Sequence, residues 1–230
     1  MKKLWLAVIT ICAGTAFAGT ASIMASFPTP CRSSAYGIDY YDGQLYHADG
    51  PYRTIYKTDT VGSVLGVIPT TMRPFGIDRT QTEFWTDDSA AMIYRLETTG
   101  SFIRSFKGPG VRSGGVAFGE GFIWYTSGPT VFKLTPNGSI RDSFDLPGGL
   151  HGICWYASNL WVADWSQGKI YQTTEAGSII ESITPVGTPY GVTWDGSYLW
   201  YTANGYVYQV SISHTPVAPA SLGKVKAIYR

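Results

Sequence analysis

Short apolar runs alternate along the chain with clusters of Gly, Pro, Asp and Ser, and the runs recur on a nearly fixed period. Gly followed by Ile or Val stands at Gly37-Ile38, Gly76-Ile77, Gly115-Val116, Gly152-Ile153 and Gly191-Val192, with spacings of 39, 39, 37 and 39 residues. Nine residues after each of these glycines comes a large aromatic: Tyr46, Trp85, Trp124, Trp161 and Trp200. A repeat of this length marks like units stacked or closed into a ring. Each unit reads as four strands. Strand a carries the Gly-Ile or Gly-Val. A turn follows, most openly Asp42-Gly43 and Asp195-Gly196, both hairpin signals. Strand b holds the aromatic. Strand c holds a β-branched and aromatic pair, such as Ile55-Tyr56 or Ile170-Tyr171. Strand d opens on Gly-Ser at Gly62, Gly100, Gly138 and Gly177. Four short antiparallel strands in about 40 residues make one propeller blade. No segment sustains an apolar period of 3.6, so almost no helix is expected. The predicted fold class is all-β, a five-bladed β-propeller of four-stranded antiparallel blades.

The fifth unit lacks a strand d after its strand c. The missing pattern, Ser then apolar then Ser four residues on, appears at the other end of the chain as Ser22-Ile23-Met24-Ala25-Ser26. The N-terminal strand is therefore expected to complete the last blade, so that residues 21–27 pair with the strand near Tyr206 to Val210. Such a clasp removes an open sheet edge and ties down a terminus that would otherwise fray. The propeller then spans residues 19–214. Residues 215–230 read as an extended linker, Thr215 to Ala220, and a last segment Lys224 to Arg230. That segment suits either an extra edge strand with blunting charges or a docking tail.

Residues 1–18 have the layout of a signal peptide. Lys2 and Lys3 precede an apolar run, and Ala16-Phe17-Ala18 offers a small-residue cleavage site. The apolar run is short for a transmembrane helix. These features predict a secreted, periplasmic or cell-surface protein with no membrane span after cleavage. Removal of residues 1–18 leaves 15 basic and 16 acidic side chains. So balanced a charge gives no electrostatic case for nucleic acid. Hydrophobic residues make up 44% and charged residues 14%, which suits a well-buried globular core. The remaining cysteines, Cys31 and Cys154, either pair in an oxidising compartment or stay as buried thiols, and the apolar run around Cys154 suits the second.

Two family resemblances follow from particular residues. The stretch Pro189-Tyr190-Gly191-Val192-Thr193-Trp194-Asp195-Gly196-Ser197-Tyr198-Leu199-Trp200-Tyr201-Thr202 resembles blades of the NHL and virginiamycin B lyase-like propellers, as does Gly121-Phe122-Ile123-Trp124-Tyr125-Thr126. The resemblance covers about residues 19–212 and implies the fold. Those lyases use a metal with His and Glu as acid-base groups. Here there is no His-x-Glu, and the only histidines are His47, His151 and His214, so the lyase site is not carried over. The second resemblance is to plant-type glutaminyl cyclases, secreted five-bladed propellers whose chains carry Phe-Gly-Glu-Gly. Phe118-Gly119-Glu120-Gly121 has those letters. In the cyclases the motif begins an inner strand, whereas the register here sets it at the a–b turn of the third blade.

The repeat register also names the residues at one channel mouth. Immediately before the anchor glycines stand Tyr36, Phe75, Gly114, His151 and Tyr190. Three residues after the strand b aromatics stand Asp49, Asp88, Ser127, Asp164 and Ala203. Rings bordered by carboxylates suit a small molecule, a glycan or a protein segment. The expected ligand-binding residues are Tyr36, Phe75, His151, Tyr190, Asp49, Asp88 and Asp164. Structural roles compete with this reading, since the rings suit a channel plug and Asp at a strand end caps the next turn. No nucleophile motif, phosphate loop or zinc-ligand spacing is present, so no catalytic residue, cofactor or metal is assigned. Calcium held by the Asp column stays open. The expected function is a non-catalytic binding or surface-interaction module, with a propeller enzyme or a component of an extracellular assembly as alternatives.

Overall fold

A computed structural model describes residues 17–18, 20–32 and 36–213. Among these every regular element is a β-strand. The strands form five antiparallel four-stranded blades in a ring. Blade 1 contains Ile38–Tyr41, Gln44–Asp49, Thr54–Thr58 and Val64–Pro69 as strands a to d. Blade 2 contains Ile77–Arg79, Glu83–Asp87, Met92–Glu97 and Phe102–Lys107. Blade 3 contains Gly115–Gly119, Phe122–Ser127, Thr130–Leu134 and Ile140–Asp145. Blade 4 contains Leu150–Tyr156, Asn159–Asp164, Lys169–Thr174 and Ile179–Ile183. Blade 5 contains Val192–Trp194, Leu199–Ala203 and Tyr206–Ser213, completed by Thr20–Pro28.

The N-terminal strand closes the ring as the sequence pattern requires. It runs antiparallel to strand c of blade 5 from Thr20 opposite Ser213 to Pro28 opposite Tyr206, with one bulge between Ile23 and Ala25. Its Phe27 behaves as the equivalent residue of any other strand d. In blades 1, 2 and 3, Ile68, Phe106 and Phe144 press on the c–d turn glycines of the next blade, Gly100, Gly138 and Gly177. Phe27 presses on Gly62 of blade 1 in the same way, and a Cβ there would stand 2.6 Å from its ring. Each of these turn glycines also has a positive φ, which explains the repeated Gly-Ser.

The anchor glycines are explained by crowding at the axis. A Cβ on Gly76 would stand 2.6 Å from the Cα of Gly115, and one on Gly152 would stand 2.7 Å from the Cα of Gly191. The same approach runs through Gly37 and round the ring. Five inner strands meet so closely that only a residue without a side chain fits, and the waist has no room for a water molecule. The channel is thus divided into two separate mouths. One lies at the start of each strand a, the other at the a–b turns.

The strand b aromatics lie between blades. Tyr46, Trp85, Trp124, Trp161 and Trp200 are all buried. In blades 1 to 3 a cationic residue of strand c stands opposite: Lys57 by Tyr46, Arg95 by Trp85 and Lys133 by Trp124. Lys133 Nζ lies 4.7 Å from the Trp124 ring centre and also pairs with Glu175 of blade 4 at 2.6 Å, so one cation joins two blades. Of the expected signal peptide only Phe17–Ala18 is described, as a short parallel partner of Ile179–Ile183. Residues 215–230 and His214 lie outside the described residues. Cys31 and Cys154 are both free and buried. No helix among the described residues is long and apolar enough to cross a membrane.

Candidate functional site

The structure brings the four predicted rings together at the first mouth, packed on one another. Tyr36 and Phe75 stack with centres 4.3 Å apart, Tyr36 lies 5.8 Å from His151, and Tyr190 meets His151 edge-on at 5.2 Å. Burial holds the His151 imidazole down to about 4, so it is neutral at ordinary pH. Gly114 supplies no ring, and there Thr126 Oγ1 donates to the carbonyl of His151 at 2.6 Å.

The three predicted carboxylates each bind nearby backbone. Asp49 accepts the Arg32 N–H at 2.9 Å. Asp88 accepts the amides of Ala90 and Met92, at 2.9 and 3.0 Å, and the Tyr94 hydroxyl at 2.7 Å. Asp164 accepts the amides of Gly149, Ser166 and Gln167, at 3.2, 3.0 and 3.0 Å. Among the described residues, no three or more His, Cys, Asp or Glu side chains are placed to hold a metal ion. The adjacent Asp87, not singled out by the sequence, accepts the anchor amide of Gly76 at 2.6 Å, and burial raises its carboxyl to about 6.

The second mouth opens into a funnel of about 380 Å³. Its floor holds the residue two positions after four of the anchor glycines, Asp39, Asp78, Cys154 and Thr193, while the fifth, Ala117, is buried in the core beneath. These side chains latch each blade to the next. Thr193 Oγ1 accepts the Tyr40 N–H at 3.1 Å and donates to Asp39 Oδ1 at 3.0 Å. Asp39 Oδ2 accepts the Arg79 N–H at 2.7 Å. Asp78 accepts the Phe118 N–H, and the Cys154 sulfur accepts the Trp194 N–H. Blade 3 breaks the pattern, because Ala117 has no acceptor to offer.

Asp39 is almost fully buried, while Asp78 keeps a partial opening onto the funnel. Desolvation raises the Asp39 carboxyl to about 6 against the pull of its N–H and O–H donors. Asp78 is pushed well above the usual carboxylate range, first by burial and then by the charge of Asp39. Two such groups on one desolvated floor favour a shared proton near neutral pH. With more donors, Asp39 holds the charge and Asp78 the proton. Burial, then the same two carboxylates, keeps the Cys154 thiol protonated.

Aromatic side chains make the wall: Tyr40, Tyr41, Phe118, Trp155, Tyr156 and Trp194. Trp194 stacks on Trp161 at 5.5 Å, which fixes its plane. Arg79 is the one guanidinium among the lining residues, and it lies over the rings of Tyr41, Phe84 and Tyr46 at 4.9, 5.1 and 5.9 Å. Asp42 and Asp195 stand at the rim. In the Phe118-Gly119-Glu120-Gly121 stretch, Phe118 lines the funnel, while Glu120 is exposed at a turn with φ of 50° followed by Gly121 at 80°. Gly119 is needed for another reason, since a Cβ would stand 2.2 Å from the Trp155 ring.

The sequence matches no protein-family model and no curated protein sequence. Among solved structures, the chain is similar to the glutaminyl cyclase of Myxococcus xanthus, with a TM-score of 0.74 at 11% identity over 87% of this chain and 99% of that one. It is also similar to the WD40 propeller domain of Doa1, with a TM-score of 0.56 at 12% identity over 78% of this chain and 64% of that one. At such identities the likeness shows the propeller fold and nothing finer.

Proposed function

We propose that this protein is an exported binding module that takes a small ligand in the funnel at the a–b mouth. The observation that carries the reading is a cavity of about 380 Å³ whose floor holds two carboxyls, a thiol and a hydroxyl at one repeat position. That volume lies within the usual range for small-molecule sites. Scaffold columns of the same repeat, such as the anchor glycines, keep one residue type. An aromatic wall over a polar floor gives a ligand both apolar contact and orientation. Export rests on the signal-peptide layout of residues 1–18.

A catalytic reading has one observation in its favour, the pair of carboxyls with raised proton affinity, which suits acid-base work. The M. xanthus neighbour is a cyclase on a fold of this kind. Turnover of a substrate, lost in Asp78→Asn, would establish it.

A small-molecule library screened by thermal shift tests the binding site. Tyr156→Ala trims the funnel wall at an exposed residue, and Tyr190→Ala opens the ring cluster at the other mouth. Binders should lose about tenfold or more in affinity in Tyr156→Ala and be unchanged in Tyr190→Ala. The reverse pattern would move the site to the ring mouth.

A further inference from the structure

We propose that the funnel takes a primary organic ammonium, seated on Asp78 with Asp39 behind it and its carbon body against the aromatic wall. The inference rests on the funnel being the binding site and names the ligand class. Three observations carry it. The lining residues include four carboxylates, Asp39, Asp42, Asp78 and Asp195, against one guanidinium, Arg79. That guanidinium is held among rings of the blade 1–2 interface and acts on Asp39, which leaves the other three carboxylates without a cation among the lining residues. The wall presents six aromatic side chains, and a cation gains from their faces as well as from the carboxylates.

The choice of a primary ammonium follows from the hydrogen bonds. Asp39 already has the Arg79 amide and the Thr193 hydroxyl, whereas Asp78 has one backbone donor, the Phe118 amide, and a face open to the funnel. An ionised Asp78 therefore needs both a positive charge and an N–H donor, and a primary ammonium brings both. A quaternary ammonium brings only the charge.

Binding then releases a proton. Without ligand, Asp39 and Asp78 hold one proton between them, and the ammonium replaces it as the countercharge. The other titratable groups facing Asp78 are Cys154 on the floor and Asp42 and Asp195 at the rim. Cys154 stays a neutral thiol. Asp195 is engaged by the amides of Ser197 and Tyr198 and by the Trp200 indole, at 2.8, 2.7 and 2.7 Å. Tyr40, Tyr41 and Tyr156 are also among the lining residues.

The test is calorimetry on the full chain with 2-phenylethylammonium chloride, 2-phenylethanol as the neutral probe, and phenylethyltrimethylammonium as the probe with charge but no N–H. The primary ammonium should bind about tenfold more tightly at pH 8 than at pH 5, with heats that depend on the buffer in proportion to one released proton. Asp78→Asn keeps an acceptor for the Phe118 amide, so it should fold and lose about tenfold or more in affinity at pH 8. The alcohol and the quaternary probe should bind at least about tenfold more weakly than the primary ammonium. Equal binding of ammonium and alcohol, unchanged binding by Asp78→Asn, or no binding of the ammonium at about 10 mM would overturn the ligand class. If library binders are neutral yet still depend on Tyr156, the funnel stands and only the cation fails. If binders ignore Tyr156, the funnel itself fails.

Discussion

Replacement of Asp39 by Asn removes the one charge that the fold buries most completely at the funnel floor. The side chain keeps its shape, so its oxygen can still accept the Arg79 amide and its nitrogen can donate to the Thr193 hydroxyl. What disappears is the titration. The carboxyl is held at about 6 against an ordinary 3.8, and so its ionised form costs the folded state about 3 kcal/mol. An unfolded chain loses this proton near 3.8, whereas the folded chain keeps it up to about 6. Between those values the folded state binds more protons, so stability is greatest below the first and falls as pH rises through the second. The stability of Asp39→Asn relative to the native chain should therefore increase by about 3 kcal/mol between pH 3.5 and pH 7. His47 and His151 titrate in the opposite sense over the same range but are present in both proteins, so they cancel. Urea unfolding at half-unit pH steps measures the difference directly, and equal m-values confirm that both chains unfold alike. A difference that stays constant within about 0.5 kcal/mol across the range would show that Asp39 is solvated, and the proton-sharing floor would fall with it.

Three further outcomes are expected. Trp124→Ala should cost about 3–5 kcal/mol, read by chemical denaturation, because the indole is buried between blades. Deletion of residues 20–28 should lower the melting temperature substantially and expose strand Tyr206–Ser213 to self-association, read by calorimetry and light scattering. His47 is fully buried with its Nε2 2.9 Å from Thr58 Oγ1 and is held down to about 3 by desolvation. Its contribution is complete above about 6.5 and is lost as pH falls, so His47→Gln should remove about 2–3 kcal/mol of the native chain's destabilisation between pH 7 and pH 4.5.

The ring was legible because its determinants repeat. A Gly at each anchor and an aromatic nine residues later report two packing problems solved five times, at the crowded axis and between blades. The clasp was legible for the same reason, since Ser22 to Ser26 carries the strand d pattern out of its usual order. The funnel floor was present in the same register as Asp39, Asp78, Cys154 and Thr193, yet nothing in the letters marked it as a floor. Alternate residues of a strand face opposite sides, and the twist and tilt of strand a decide which of them meets the axis. The rings at Tyr36, Phe75, His151 and Tyr190 were read correctly as neighbours. Whether they leave a hole or fill it depends on the radius of the ring, and five blades bring Tyr36 within 4.3 Å of Phe75. The signal in the row was polarity: one inner-strand position holding a pair of carboxyls, a methyl, a thiol and a hydroxyl, where the position before it holds only Ile or Val.

The division of the channel explains why the two mouths are built differently. With a Cβ on Gly152 only 2.7 Å from the next Cα, the waist admits no side chain and no through-passage. Each mouth must then satisfy its own packing and polar groups. At the first mouth Tyr36, Phe75 and Tyr190 turn onto one another, and neutral His151 completes the cluster of four rings without a charge to solvate. At the second mouth, the latches need one acceptor per blade to bind the amide of the next. Thr193, Asp39, Asp78 and Cys154 all meet that need, and a hydroxyl would do so at lower electrostatic cost than a carboxylate. Latching alone therefore does not explain two aspartates on adjacent blades, whose mutual repulsion raises Asp78 beyond the cost of burial. Nor does it explain Ala117, which leaves one joint unlatched beside them. The paired aspartates raise the acidity of the funnel at a cost to the ring, which is the pattern expected where a fold gives up stability for a site.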